Sequence, residues 1–232
     1  MHLRASRTEP AWAIEAGELE LELGAASVGS RGDAGRQRFD STPLEARYAV
    51  ADGWMLRATS SGHARLREPD GTRQAGIEAA GASLRHVRAL GGSLWGSIEA
   101  GFGLPVSSAS FGPRRTAPFA QAALTWHASG LRLTGLLSHE RENPRAAADE
   151  RLVASVRSAT LAAFVDLPGP FGLGLDASAD RIAGLGVQRS AVLGLVWRAS
   201  RRLLLDVGVG RGGGALGSQT LLTAGMILQL GR

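Results

Sequence analysis

Apolar and polar residues alternate with a period of two along most of this chain. Near the C-terminus, for example, Leu205, Val207 and Val209 alternate with Asp206 and Gly208. Because successive side chains of an extended strand point to opposite faces, each such run predicts a β-strand with one aliphatic and one polar face. The alternation predicts strands at roughly 12–26, 38–49, 54–62, 75–88, 93–104, 117–127, 131–140, 150–166, 171–180, 193–198, 203–210 and 222–230. The faces of 75–88 and 150–166 stay unassigned, since their residues do not favour one parity.

The connections between these segments alternate in length. Short connections carry the Asp-Gly, Gly-Gly, Ser-Gly and Pro-Gly-Pro sequences that tight turns need, at 50–53, 90–92, 128–130, 167–170 and 199–201. Longer polar connections are predicted at 27–37, 63–74, 105–116, 141–149, 181–188 and 211–220. This alternation is typical of a closed barrel, whereas Greek-key sandwiches mix connection lengths. An even number of strands also places both termini on the short-turn side.

The pattern therefore predicts an all-β fold, namely a single closed antiparallel outer-membrane β-barrel of about 12 strands. This domain would span 1–232, with a flexible N-terminal segment at 1–11. Its aliphatic face would contact lipid, and each strand is long enough to cross a bilayer when tilted. Two alternatives remain open, a closed structural or adhesive barrel and a soluble β-domain that binds an apolar ligand in its core.

Composition excludes several other classes of protein. The 26 basic residues are all Arg and are interleaved with acids, so the net charge of +5 does not indicate nucleic-acid binding. Cys is absent, and the five His residues lack the spacing of metal ligands, so neither thiol chemistry, a metal site nor a cofactor is expected. The G-x-G-x-x-G match at 208–213 is followed by another alternating strand instead of a helix, which indicates a hairpin. Nothing in the spacing of residues predicts an enzyme.

Charged residues occupy the parity opposite the aliphatic ones. Because an Arg facing lipid costs about 2–4 kcal/mol near the bilayer midplane, these residues are expected to face the barrel interior. The predicted pore-lining residues are Glu20, Glu22, Glu45, Arg47, Arg57, Glu78, Glu99, Arg132, Asp176, Arg198 and Asp206. They have two interpretations: acids and Arg that pair and stiffen a nearly closed barrel, or the lining of an aqueous pore whose mixed field sets solute preference.

Each tryptophan lies close to the N-terminus or to a predicted short turn. In a membrane barrel this position corresponds to the interface with the headgroups, where aromatic side chains gather. The predicted aromatic girdle consists of Trp12, Trp54, Trp95, Trp126 and Trp197. The N-terminal residues are basic but lack the apolar core of about 7–15 residues that a secretory signal needs, so export would require a signal peptide that this sequence does not contain.

Three short motifs carry a family resemblance. They are Thr42-Pro-Leu-Glu-Ala-Arg-Tyr48 followed by an Asp-Gly turn, Gly103-Leu-Pro105 at a strand end, and Leu205-Asp-Val-Gly-Val-Gly-Arg211 before the last hairpin. In their order and spacing the chain resembles the outer-membrane transporter family named after the meta-cleavage pathway of phenol degradation. That family usually ends on an aromatic residue, whereas this sequence ends Leu230-Gly231-Arg232.

The resemblance implies a barrel that passes small, often hydrophobic or aromatic, compounds. We therefore expect a passive channel or transporter in a bacterial outer membrane, with lipid and a small-molecule solute as partners. No nucleic acid is expected among its partners, and the sequence does not determine the solute or the oligomeric state.

Overall fold

The computed structural model describes residues 14–32, 35–77, 80–104, 106, 116–142, 154–214 and 217–231. Their strands form one antiparallel sheet, which closes where β1 pairs with β15. The strands are β1 (Leu19–Gly32), β2 (Gly35–Ser41), β3 (Leu44–Ala51), β4 (Trp54–Ser60), β5 (His63–Arg67), β6 (Arg73–Ile77), β7 (Ala80–Gly91), β8 (Leu94–Leu104), β9 (Ala117–Ala128), β10 (Leu131–Glu142), β11 (Ala154–Asp166), β12 (Phe171–Ile182), β13 (Gly186–Arg198), β14 (Leu203–Gly214) and β15 (Ser218–Leu230). The predicted fold class, a closed 12-stranded antiparallel barrel, is confirmed. The segment 1–11, predicted to be flexible, lies outside the described residues.

Three of the twelve barrel strands are interrupted, which accounts for the larger number of β-elements. β2 and β3 pair with successive parts of β1. On their other side, β2 pairs with β5 and β3 pairs with β4. The first interruption falls at Pro43, which has no N–H for the ladder, and the second at Gly62, whose φ is 60°. Hydrogen bonds join the two breaks, since Thr42 N–H donates to the His63 carbonyl at 3.1 Å. β6 and β7 form the third interrupted strand.

The short turns lie where the sequence predicts them. Ser129 and Gly130 have φ of 47° and 79°, the conformation of a two-residue hairpin turn. At the other end, four of the predicted long loops are mostly strand: 27–37, 63–74, 181–188 and 211–220. These four predictions are wrong because backbone pairing continues beyond the apolar band, where Gly, Ser and Arg suit both faces. We call this end of the barrel the loop end.

The two faces of the barrel differ in polarity as the alternation predicts. On the outward face, Ile98, Leu137 and Leu161 are 63%, 66% and 65% exposed. On the inner face, the adjacent residues Glu99 and Thr160 are 3% and 9% exposed. A core in the usual sense is therefore missing from the described residues, and small apolar clusters lie among polar side chains on the inner face.

The structure assigns faces to the two segments that the sequence leaves open. β7 turns Ser83, Arg85 and Val87 inward, and β11 turns Thr160 and Ala162 inward. Among the described residues, no helix is long and apolar enough to cross a membrane.

Candidate functional site

Arg57 lies at the centre of a buried charge network on the inner face. Its Nε and Nη2 donate to the two carboxylate oxygens of Glu45 at 2.6 and 2.7 Å, and its Nη1 donates to Glu99 at 3.1 Å. The guanidinium thus holds Glu45 in the bidentate geometry that makes charge-assisted hydrogen bonds strong. The side chains of Arg57 and Glu99 are 7% and 1% exposed. Water therefore screens this interaction weakly.

Arg47 extends the network across β1 and β3. It donates to Glu20, Glu22 and Glu45, with an Nη2–Oε2 distance of 3.0 Å to Glu22. Glu45 thereby accepts from two guanidiniums and joins the halves of the network. The register places Arg47 directly opposite Arg57, where two like charges would repel each other. The carboxylates that both arginines bind compensate this repulsion.

Neutral side chains complete the hydrogen bonding of the acids. Glu99 accepts from Ser83 Oγ at 2.6 Å and from Gln121 Nε2 at 2.7 Å, and Glu20 accepts from Gln229 Nε2 at 3.2 Å. Beside them, Arg85 donates to Ser97 Oγ at 3.1 Å. These partners were not predicted from the sequence, although their inward parity was a signal that identifies them. Together with Glu20, Glu22, Glu45, Arg47, Arg57 and Glu99 they form what we call the inner network.

Apolar side chains flank the inner network along the barrel axis. Toward the short turns, Ala49, Met55 and Val87 form a buried cluster with Ile14 and Trp95 packed against it. Toward the loop end, a second cluster comprises Ala26, Val28, Val192 and Leu221, with Phe39 packed against it. The charged layer therefore lies between two apolar layers, which explains its low exposure.

The first cluster corrects the predicted aromatic girdle. Trp95 lies on the inner face, because it shares its parity with Ser97 and Glu99, so its assignment to the girdle is wrong. Its position near a turn is the one expected of a girdle residue, but its place in the alternation of β8 decides which face it occupies.

The other described tryptophans lie on the outward face near the short turns. Trp54 and Trp126 are each 41% exposed, and Trp197 is 45% exposed. Trp54 also stacks near His86, with ring centroids 4.5 Å apart. Trp12 lies outside the described residues. That these side chains anchor the barrel at a membrane interface stays a prediction.

The inner face of β9–β13 carries smaller and mostly uncharged side chains. Thr125 and Thr134 share a hydrogen bond of 2.9 Å, and Ser178 and Ser190 share one of 2.8 Å. Asp176 lies two residues from Ser178 on β12 and is 2% exposed. The interior thus has one wall rich in charge and another rich in hydroxyl groups.

An aromatic side chain fills the short-turn end of the hydroxyl-rich wall. The guanidinium of Arg132 lies 4.3 Å from the centre of the Phe164 ring, a distance suited to a cation–π contact. The tip of the ring lies against Gly172, where any Cβ would collide with it. Arg132 is therefore placed on the inner face, but apart from the inner network.

The remaining predicted site residues lie in three other places. Arg198 is at the short-turn rim, where it donates to Asp166 at 2.9 Å, and both side chains are about half exposed, at 54% and 44%. Asp206 lies on the inner face of β14, opposite Gly225 of β15. A side chain at Gly225 would collide with the Asp206 carboxylate. Glu78 lies outside the described residues. That these side chains line a pore stays a prediction.

The inner face offers fixed charges and hydroxyl groups but shows no arrangement typical of a metal centre. In the described ranges, no group of three His, Asp or Glu side chains is placed to hold a metal ion. The geometry suits weak, repeated contacts with a polar solute or ion better than a single tight site.

Comparison with known proteins gives matches at the level of structure. No protein-family model and no curated protein matches the chain. An outer membrane channel from Pseudomonas putida F1 is similar with a TM-score of 0.72 and 11% identity, covering 97% of this chain and 100% of that one. The NanC porin gives a TM-score of 0.64 at 11% identity over 91% and 100% of the two chains, and the KdgM porin 0.58 at 12% over 89% and 98%. These structural neighbours are outer-membrane channel and porin barrels, and at such identities the likeness concerns the fold.

Proposed function

We propose that this chain is a barrel of a bacterial outer membrane and acts as a passive channel for small solutes. The observation that carries the proposal is the arrangement of the two faces. A closed barrel turns aliphatic side chains outward around its circumference and turns its acids and their arginine partners inward. Removing apolar surface from water is favourable by about 25 cal/mol of free energy per Å². The outward face therefore favours contact with lipid.

The channel activity is supported by the inner face and by the structural neighbours. Backbone groups of a membrane barrel are satisfied between strands, which leaves the interior free for polar side chains. The inner network contains four carboxylates and, with Arg85, three guanidiniums, an excess of one negative charge. A mixed field with a negative excess favours weak preference for cations.

Single-channel recording in a planar bilayer tests this function. We expect discrete current steps and, in a gradient of potassium chloride, a reversal potential that indicates cation preference. Anion preference would contradict the role given to the inner network. Failure to insert would contradict the membrane location and favour the soluble β-domain.

A second candidate is a closed structural barrel, favoured by the low exposure of the inner face. Thr125 and Asp176 are 0% and 2% exposed, although they lie on the wall with the smaller side chains. Absence of current from protein that has inserted would support this candidate. Insertion is measured independently, by the faster gel migration of a folded barrel before heating.

We further propose that the chain belongs to the transporter family of the phenol meta-cleavage type. The motifs at Thr42–Tyr48 and Leu205–Arg211 support this proposal, and they lie at the first strand interruption and along β14. The solute would then be a small hydrophobic or aromatic compound. Vesicle swelling measures this directly: phenyl glucoside, an uncharged aromatic solute, should enter faster than a non-aromatic neutral sugar of similar size, and equal rates would argue against the family's solute class.

A further inference from the structure

The outward face of the barrel changes from aliphatic to cationic toward the loop end. Along β11 its outward residues read Val165, Ala163, Leu161 and Ala159, followed by Arg157. The same change recurs on neighbouring strands. The resulting exposed, outward-facing residues, here called the arginine belt, are Arg31, Arg36, Arg38, Arg65, Arg67, Arg73, Arg141, Arg157, Arg181, Arg189 and Arg211.

Among the described residues, acids pair with only a small part of this belt. Within the part of the chain that the structure describes, no ion pair or side-chain hydrogen bond is made by the belt residues of β11–β14, which are Arg157, Arg181, Arg189 and Arg211. On the other arc, Arg38 pairs with Asp40 at 2.9 Å. Asp40 is the single acid among the described outward residues of the belt strands, so the belt carries a large excess of positive charge.

The strand register places belt arginines directly opposite one another. Arg157 lies opposite Arg181, while Arg38 lies opposite Arg67, which lies opposite Arg73. Directly opposed side chains start about 5 Å apart at Cβ, and like charges in this position destabilise a sheet. An anion held between two neighbouring guanidiniums would offset the repulsion, because each guanidinium can donate two parallel hydrogen bonds to it.

The position of the belt indicates which anion this is. The belt lies at one edge of the outward apolar band, and Trp54, Trp126 and Trp197 lie toward the opposite edge. At such an edge a barrel meets the headgroups of the bilayer, whose phosphates match the planar fork of Arg. We propose that the arginine belt binds the phosphate groups of the phosphorylated lipids around the loop end, an inference that rests on the membrane location proposed above.

Stability in vesicles of defined composition tests the inference. The full chain is inserted into vesicles of phosphatidylcholine alone, in which choline neutralises the headgroup phosphate. It is also inserted into the same vesicles with lipid A, whose phosphates carry uncompensated negative charge, or with dephosphorylated lipid A. The test variant is Arg157→Gln with Arg181→Gln. The control is Arg88→Gln with Arg201→Gln, which removes two exposed charges near the short-turn end. A ligand that binds the folded state raises the urea midpoint, so the midpoint reports lipid binding.

The difference in urea midpoint between the test variant and the unmodified chain should depend on the lipid. In phosphatidylcholine alone, the test variant should unfold at the same or a higher urea concentration than the unmodified chain, because an opposed pair of charges is gone. Lipid A should raise the midpoint of the unmodified chain and of the control, and should raise that of the test variant much less. Dephosphorylated lipid A should raise the midpoints of the unmodified chain and the control much less than lipid A does.

Three outcomes would overturn the inference. Equal increases by lipid A in all three proteins would show that the belt does not recognise phosphate. An equal increase from inorganic phosphate in phosphatidylcholine vesicles would assign the site to a free anion. If the unmodified chain fails to insert, as judged by its gel migration, the proposed membrane location fails as well, whereas insertion with equal midpoints refutes the belt alone.

Discussion

Replacing Arg57 with Gln should destabilise the barrel by about 3 kcal/mol. Removing one partner of a buried ion pair costs about 3–5 kcal/mol, because the other charge is left uncompensated. The structure favours the lower end of this range. Glu45 keeps its bond from Arg47, and Glu99 keeps its bonds from Ser83 and Gln121.

The assay is urea unfolding in phosphatidylcholine vesicles, followed by tryptophan fluorescence. With a slope of about 1–3 kcal/mol per molar urea, a loss of about 3 kcal/mol lowers the midpoint by about 1–3 M. Arg38→Gln provides the matched control, since it removes the same residue from an exposed pair with Asp40, at side-chain exposures of 64% and 39%. That exposed pair should contribute less than about 1 kcal/mol.

A second substitution separates charge from geometry. Arg57→Lys keeps the positive charge but cannot donate to both oxygens of Glu45 as the guanidinium does. Its midpoint should lie between those of the unmodified chain and Arg57→Gln. If Arg57→Gln instead unfolds within about 0.5 kcal/mol of the unmodified chain, a margin typical of surface substitutions, the acids of the inner network are solvated and the reasoning from burial is wrong.

Three further predictions test the assignment of faces and the packing of the interior. Leu193→Arg should lower folding yield on gels by costing about 2–4 kcal/mol in lipid, whereas Leu193→Ala should fold; equal yields would contradict its outward position. In single-tryptophan variants, brominated acyl chains should quench Trp197 strongly and Trp95 weakly, and the reverse order would invert the faces. Gly172→Ala should cost about 1–3 kcal/mol in urea unfolding by displacing Phe164, whereas Gly174→Ala, with its nearest ring atom at 3.6 Å, should cost less; equal effects would contradict that packing.

Much of the fold follows from the alternation because the period of two fixes the faces of a strand. Ile98 and Glu99 show why: as adjacent residues they must point to opposite sides, and the cost of an acid in lipid decides which side is which. The same reasoning places Asp206 inward beside Val207. Closure is favoured because an open sheet of this kind would leave two unpaired edges, and the even number of strands then places both termini on the short-turn side.

The alternation predicts which face a residue occupies, but it says less about the position of that residue along the barrel axis and about its neighbours on adjacent strands. It could not show that Glu45 is shared by Arg47 and Arg57, because that depends on the register of β1, β3 and β4. It also could not separate strand from loop at 27–37 and 181–188, where Gly, Ser and Arg replace the apolar residues although the backbone ladder continues.

The 26 arginines show what the register adds to a count of charges. Arg57 and Arg157 both lie within alternating segments, but the sequence assigned no face to the segment containing Arg157. In the barrel, Arg57 faces inward among carboxylates, whereas Arg157 faces outward and lies opposite Arg181. The inner network has a negative excess, and the described outward residues of the belt strands combine many arginines with Asp40 as their one acid. The net charge of +5 therefore reflects an uneven distribution, with a cationic outer face at the loop end and an inner face on which the described acids outnumber the arginines.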